Sequence, residues 1–291
     1  MNGTRPFLRQ SIASQDLLLV PLVFDALTAL MCRRAGFAAG YVGGAALGYL
    51  RGVTEAALTP HDFVEVGLEI RAQSDLALIM DAGCGWGDPM HIHRVVKVAL
   101  TAGYDAIELE DQVAPKRAHH HIGIEHLVSV ETMTAKIREA VRARGEAPFL
   151  IIARTNAVKI NIDDAVQRCD AYAGAGADVL FPIAYRPEDL AYLGKRAPSP
   201  LMQMVHPGAS FTKMGLTHQE LTALNYRLLV DGITPFSALY HALAHCYEHL
   251  RSDTTEEATI IAAMKGANDL VGLDTLLKIE RETTEANLFR E

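Results

Sequence analysis

The chain has 291 residues, 49% of them hydrophobic and 21% charged, with a formal net charge of −8. These are ordinary globular proportions, sized for one large α/β domain or two smaller ones. The acidic balance excludes nonspecific nucleic-acid binding, which needs clustered Lys and Arg. The four cysteines, Cys32, Cys84, Cys169 and Cys246, are widely spaced with no CxxC pair. They read as free thiols of a reducing cytoplasm, not as a disulfide framework or a zinc site. Residues 1–15 are polar and lack a signal-peptide core, and no apolar run approaches the roughly 20 residues of a membrane span. The expectation is a soluble cytoplasmic protein with no membrane partner.

In chain order, an apolar β-like run at 17–24 ends at Asp25, which can cap a helix over 26–35 that stops at Gly36. A second strand, 38–42, ends at Gly43-Gly44, and the small Gly/Ala-rich stretch to Leu58 carries only Arg51 and Glu55 as charges. Thr59-Pro60 has the form of a helix start, with the helix over 62–73. Strand 76–80 ends at Asp81, followed by the turn 82–87 and a helix over 91–102 closed by Gly103. Strand 106–109 leads into a charged stretch, then come a helix at 131–144 and a strand at 149–153. The alternation continues with a helix at 163–175, a strand at 179–181, a helix at 188–195 and a strand at 201–205 ending at His206. A last strand at 228–230 precedes a helix at 238–251, and 256–265 and 273–281 add helix. Continuous apolar strands with helices between them predict a parallel sheet covered on both faces. About eight repeats with short connections and no linker predict a single (β/α)8 TIM-type barrel over 1–291, with a C-terminal helical tail from about residue 254. The Gly-rich turns do not match a dinucleotide fingerprint.

The stretch from Ile107 to His121 is the centre of the pattern. A strand ends in Glu108, Glu110 and Asp111, and the loop behind it carries Lys116, Arg117, His119, His120 and His121. Acids at a strand end suit a divalent cation, and the loop could supply proton-transfer groups. The plainer reading is a charged strand terminus and a solvated loop. A barrel gathers its site at the C-terminal ends of its strands. Those positions here are Asp25, Tyr41 to Gly44, Asp81, the 108–111 acids, Arg154, Pro182 and His206. Asp81 and Glu110 are hard oxygen donors for Mg²⁺, against a purely hydrogen-bonded role. Arg154 is either a bidentate clamp for a substrate carboxylate or an internal partner of Glu110 or Asp111. His119, His120 and His206 are acid/base candidates, against a core or surface role for His206. Adjacent histidines do not converge on one zinc ion.

Four ordered motifs then resemble the isocitrate lyase/phosphoenolpyruvate mutase superfamily: Asp81-Ala-Gly-Cys-Gly-Trp-Gly87, Ile107-Glu-Leu-Glu-Asp-Gln112, Pro115-Lys-Arg117 and Ile152-Ala-Arg-Thr-Asn-Ala157. The branch holding the 2-methylisocitrate lyases and oxaloacetate decarboxylases is the most similar. The resemblance implies a (β/α)8 barrel that binds Mg²⁺ or Mn²⁺ and a 2-oxo or 2-hydroxy acid and works through an enolate. It implies a homo-oligomer, a dimer or tetramer, with C-terminal helices exchanged between subunits. By resemblance, Asp81 and Glu110 hold the metal and Glu55 stands near a third family acid. Arg154 binds a carboxylate, and Tyr41, Gly43 and Gly44 hold the α-oxo-carboxylate.

The departures are specific. Gly83 replaces the second Asp of the metal motif, Ala118 replaces the gating-loop cysteine of the lyases, and Ile183 replaces a Glu near the distal end of the substrate. The expected activity is therefore a metal-dependent carbon–carbon lyase on a small 2-oxo or 2-hydroxy acid, with decarboxylation of an oxaloacetate-like acid favoured. His120, His119 or His206 would stand in for the cysteine, and Lys116 is a further catalytic candidate. Carbon–phosphorus chemistry on a phosphonopyruvate-like acid and a non-catalytic carboxylate-binding barrel are the alternatives.

Overall fold

A computed structural model describes residues 7–14, 16–117, 119, 122–252, 254 and 257–283. Eight strands run through it: β1 (Leu18–Pro21), β2 (Ala39–Val42), β3 (Ala77–Asp81), β4 (Ala106–Glu110), β5 (Leu150–Thr155), β6 (Val179–Pro182), β7 (Leu201–Met204) and β8 (Tyr226–Asp231). Twelve α-helices accompany them among the described residues: α1 (Phe7–Ala13), α2 (Ala26–Arg34), α3 (Gly44–Leu50), α4 (Pro60–Gln73), α5 (Pro89–Thr101), α6 (Val130–Arg144), α7 (Ile162–Gly174), α8 (Pro187–Gly194), α9 (His218–Ala223), α10 (Thr234–Arg251), α11 (Glu257–Leu270) and α12 (Leu273–Glu282).

The strands pair in parallel in the order β1-β8-β7-β6-β5-β4-β3-β2. The ring closes where Leu22 bridges Tyr41 and the Val23 amide donates to the Tyr41 carbonyl at 2.9 Å. This is the expected (β/α)8 barrel. Successive side chains of a strand point to opposite faces, and here odd and even positions divide cleanly. Leu78 and Met80 of β3, Ile107 and Leu109 of β4, and Ile151 and Ala153 of β5 belong to the apolar layer shared with the helices. The alternate residues Asp81, Glu108, Glu110 and Arg154 face the barrel interior. Register carries them side by side, with Asp81 opposite Glu108 and Glu110 opposite Arg154.

Asp111, one residue past β4, falls on the other parity and turns outward. It accepts from Arg168 Nη1 at 3.0 Å and from the Tyr172 hydroxyl at 2.8 Å, both on α7. Of the 108–111 acids, two therefore serve the interior, and this one ties a helix to the sheet.

A repeated device holds the floor of the barrel. Asp105, just before β4, takes Arg71 of α4 at 2.6 Å and the Leu78 amide of β3 at 2.8 Å, and its own amide donates back to the Leu78 carbonyl. Asp178, before β6, does the same with Arg144 of α6 and the Ile151 amide and carbonyl of β5. Each acid fixes the register of two strands and the seat of the helix that precedes the first of them.

Helices α1 and α9 are not expected from the sequence, and two further differences bear on the site. The 41–58 stretch contains a helix, α3, despite two glycines in seven residues. Packing stabilises it rather than propensity, since Gly44, Ala46, Leu47 and Gly48 are buried. Strand β5 runs to Thr155, so Arg154 lies within the strand and not beyond its end. The chain divides into two compact units, Met1–Ser237 and Ala238–Glu291. The second holds most of α10, with α11 and α12, on which Tyr240, Tyr247, Leu250, Ile261, Met264 and Leu276 stand more than half exposed. No helix among the described residues is long and apolar enough to cross a membrane.

Asp105→Ala removes a buried charge that answers Arg71, and removing one member of such a pair costs about 3 kcal/mol or more. Urea unfolding of the variant should show a loss of that order at unchanged m-value, whereas a surface change such as Glu65→Ala should stay within about 0.5 kcal/mol.

Candidate active site

The C-terminal ends of β2 to β5 hold a connected set of charged groups. Glu108 and Glu110 are fully buried, and Asp81 and Arg154 nearly so. Arg154 Nη1 donates to Glu108 Oε1 at 2.8 Å, and its Nε lies 3.2 Å from Asn156 Oδ1 and 3.4 Å from Glu110 Oε2. The Tyr41 hydroxyl donates to the other oxygen of Glu108 at 2.8 Å. Asp81 accepts the Gly44 amide on Oδ2 and the Gly83 amide on Oδ1, each at 2.9 Å. Lys116 reaches in from the loop, 2.6 Å from Glu110 Oε1 and 3.0 Å from Glu55 Oε1.

Burial and the neighbouring Asp81 charge push Glu108 up to about 7, although Arg154 and the Tyr41 hydroxyl pull it back. Burial, with Asp81 and Glu108 nearby, holds the Tyr41 phenol well above its ordinary range, so it stays protonated and donates. Burial works against the Lys116 ammonium, but Glu110 and Glu55 outweigh it, and the group is held charged above the usual lysine range. Arg154 follows the same balance, with Glu110 and Glu108 overcoming its burial.

Both arms of the predicted ambiguity at Arg154 have a structural counterpart. The guanidinium is an internal ion-pair partner of Glu108 and Glu110, not of Asp111. Among the described residues its Nη2 makes no hydrogen bond, and Arg154 lines the central cavity. For Gly44 the expectation of an amide that holds a substrate carboxylate is corrected. That N–H is committed to Asp81, so Gly44 instead orients an acid of the candidate metal shell. A Cβ there would fall 3.1 Å from Glu55 and 3.2 Å from Asp81 oxygens, so any side chain would press on both acids. Tyr41 and Gly43 line the cavity.

The histidines are spread apart. His206 is exposed at the cavity mouth, its ring edge-on to Tyr185 at 5.0 Å and its Nδ1 2.8 Å from the Pro207 carbonyl. His119 is exposed beside His126, 3.4 Å between ring nitrogens. His120, His121 and Ala118 lie outside the described residues. Lys116, from the same loop, is the member that enters the acid cluster.

Two functional-site residues escape the sequence reading. Glu108 stands there only as one of several strand-end acids, yet it is the acid that joins Tyr41 to Arg154. Its parity with Glu110 was the available signal. Glu125, its side chain 1% exposed, accepts from Gln112 Nε2, from Asn156 Nδ2 at 3.0 Å and from Lys159 Nζ, and so pins the far end of the 112–127 loop beside β5. Nothing local marks it in the sequence.

The donor set bears on whether a divalent cation fits. Glu55, Asp81, Glu108 and Glu110 face Lys116 and Arg154, so with all four acids ionised the cluster has four negative and two positive charges. The types are hard oxygens and the excess of charge suits Mg²⁺ or Mn²⁺. Among the described residues, however, no three ligand side chains are grouped as a coordination shell, because Lys116 stands between Glu55 and Glu110. Gly83 supplies no fourth acid. Its φ of +50° is in the left-handed region, and a Cβ there would face Glu110 Oε1 at 3.8 Å. The donors are of the type a divalent cation takes, and Lys116 stands in the position such a cation would need.

The barrel of parallel strands, with acids, an arginine and a loop lysine gathered at their C-terminal ends, goes with a match to enzymes of the phosphoenolpyruvate mutase type. The family model described as phosphoenolpyruvate phosphomutase matches residues 8–251, and the chain belongs to the isocitrate lyase/phosphoenolpyruvate mutase superfamily. It is 30% identical to the 2,3-dimethylmalate lyase of Eubacterium barkeri over 96% of this chain and 97% of that protein. It is 32% identical to the 2-methylisocitrate lyase of Escherichia coli over 90% and 89%. A phosphonopyruvate hydrolase structure in complex with oxalate and Mg²⁺ superposes with a TM-score of 0.84 at 26% identity, covering 97% of this chain and 100% of that one. The chain is an enzyme of the lyase type that the first two represent.

Arg154→Met would strand Glu108 in the barrel without its cation and leave Glu110 to Lys116 alone, at a cost of about 3 kcal/mol or more. Denaturant titration should show that loss, and the double variant Arg154→Met/Glu108→Gln should recover part of it. Additive losses in the double variant would mean that the two residues are not coupled.

Proposed function

We propose that this protein is a cation-assisted carbon–carbon lyase for a small 2-oxo or 2-hydroxy carboxylic acid. Loss of CO₂ from an oxaloacetate-like acid through an enolate is the favoured reaction. The observation that carries the reading is the convergence of Asp81, Glu108, Glu110, Glu55, Arg154 and Lys116 on one end of the barrel, beside a cavity of about 410 Å³. Asp81, Glu110 and Glu55 would hold Mg²⁺ or Mn²⁺. A divalent cation bound there supplies Lewis-acid stabilisation of charge growing on the α-oxygen.

The residues of the chain do the rest. Arg154, rigid between Glu108 and Asn156, offers Nη2 to a carboxylate. Tyr41 and Gly43 line the same wall and orient the acid. In decarboxylation the bond from C3 to the departing carboxylate breaks, its electron pair passes into the C2–C3 enolate, CO₂ leaves, and C3 takes a proton. Lys116, displaced from Glu110 and Glu55 by the cation, would on this reading stand beside the acid as a second positive charge for the enolate. The proton for C3 then enters from the mouth, where His206 stands. The exposed apolar side chains of α10 to α12 are the surface proposed to pack on a second copy of the chain.

Incubation with oxaloacetate and its 3-substituted analogues in Mg²⁺ or Mn²⁺ should release CO₂ and the matching 2-oxo monocarboxylate. Phosphate release from phosphonopyruvate, with no CO₂ from any acid, would move the protein to carbon–phosphorus chemistry, the activity for which the phosphonopyruvate hydrolase among its structural neighbours is named. The cation competition has its own readout. Titration of Mn²⁺ followed by electron paramagnetic resonance should show tighter binding to Lys116→Met than to the natural chain, and weaker binding to Asp81→Asn. Weaker binding to Lys116→Met would show that the lysine supports the cation rather than competing with it.

A further inference from the structure

The wall of the central cavity facing away from the acids is apolar. It is formed by Ile183, Tyr185, Met204, Val205, Pro207 and Ile233, contributed by the ends of β6, β7 and β8 and the loops after them. Ile183 and Val205 are 4% exposed, so this is packed lining and not a chance surface patch.

Apart from the Tyr185 hydroxyl, which carries no charge to answer a carboxylate, the polar groups nearest this wall are occupied. Gln203 is fully buried, and its Nε2 donates to the Ala184 carbonyl at 2.6 Å and the Met204 carbonyl at 2.7 Å. It staples the two wall segments together and has no donor left for a ligand. Lys159, a cation on the lining besides Arg154, is paired with Glu125. His206 stands exposed at the mouth against Tyr185. A second carboxylate on the substrate would lose its water here and meet no uncommitted cation among the described residues of the wall, a cost of several kcal/mol. An alkyl group would gain about 0.8 kcal/mol for each methylene buried.

We infer that this wall is a subsite for an apolar substituent, and that the preferred ligand is a 2-oxo or 2-hydroxy acid that turns an alkyl group, not a carboxylate, toward it. The inference rests on the proposed reading of Arg154 and the acid cluster as the anchor for the α-oxo-carboxylate. For the favoured reaction, the substituent is the one carried on C3, and it remains in the product.

Calorimetric titration of the full chain in Mg²⁺ with oxalate, pyruvate, 2-oxopentanoate and 2-oxoglutarate separates the two claims. Oxalate reports the anchor alone. The last two acids share a five-carbon chain and differ in ending on methyl or on carboxylate. The expected order is 2-oxopentanoate about tenfold tighter than pyruvate, with 2-oxoglutarate no tighter than pyruvate. Oxalate binding together with 2-oxoglutarate tighter than 2-oxopentanoate overturns the apolar subsite and leaves the anchor standing. No binding of oxalate or any of the acids overturns the anchor and the subsite with it.

Variants give an independent readout in the affinity ratio, which a general folding defect does not move in one direction. Met204→Ala should cut the ratio of 2-oxopentanoate to pyruvate affinity about fivefold. Ile233→Arg, at a half-buried rim position, should invert the preference toward 2-oxoglutarate. Ratios unchanged in both variants would overturn the assignment of the wall.

Discussion

Arg154 lies between two fully buried carboxylates, and the interior of the barrel depends on that arrangement. Glu108 and Glu110 sit on one face of β4 because strand side chains alternate, and β5 is registered so that Arg154 comes opposite Glu110. Without the guanidinium, two negative charges would share a site shielded from water, which burial alone makes unfavourable. With it, Glu108 can also take the Tyr41 hydroxyl from β2, and Asn156 can brace the guanidinium from behind. The network crosses from β2 to β5 and holds four strand ends in a fixed relation. The floor acids Asp105 and Asp178 perform the corresponding task at the opposite end, so each end of the barrel is tied by charge while the middle is apolar.

Much of this was legible in the sequence, and what was not has physical reasons. The alternation of apolar strands and helices carried the barrel, and Asp81, Glu110 and Arg154 were found by asking what stands at strand ends. Period-two parity would have gone further, separating Glu108 and Glu110 from Asp111. Treating the three acids as one cluster hid the fact that one of them belongs to α7. Helix α3 was hidden because propensity argues against Gly-Ala-Ala-Leu-Gly-Tyr-Leu, and only the close packing that its small residues permit makes it form. Glu125 could not be read at all, since its partners Asn156 and Lys159 are more than thirty residues away. The histidine run drew attention by composition, yet the loop residue that enters the site is Lys116, which composition does not single out.

The departures from the superfamily pattern fall in two places, and the structure gives each a different character. On the acid side, Gly83 leaves the cluster one carboxylate short, while Lys116 adds a positive charge against Glu55 and Glu110. On the far side, Ile183 stands where a carboxylate is usual, within a wall whose amide, Gln203, is turned inward on the backbone. The first change bears on the charge balance of the acids, and the second makes the opposite wall apolar. The two sides share one cavity but not one chemistry, so substitutions on one need not disturb the other.

Lys116 is a counter-ion on a tether. On the proposed reading, a divalent cation at Glu110 and Glu55 has to displace an ammonium already paired with both. The apparent affinity of the acids for metal would then be their intrinsic affinity less the strength of that internal pair, and a change at Lys116 would alter metal occupancy without touching a ligand.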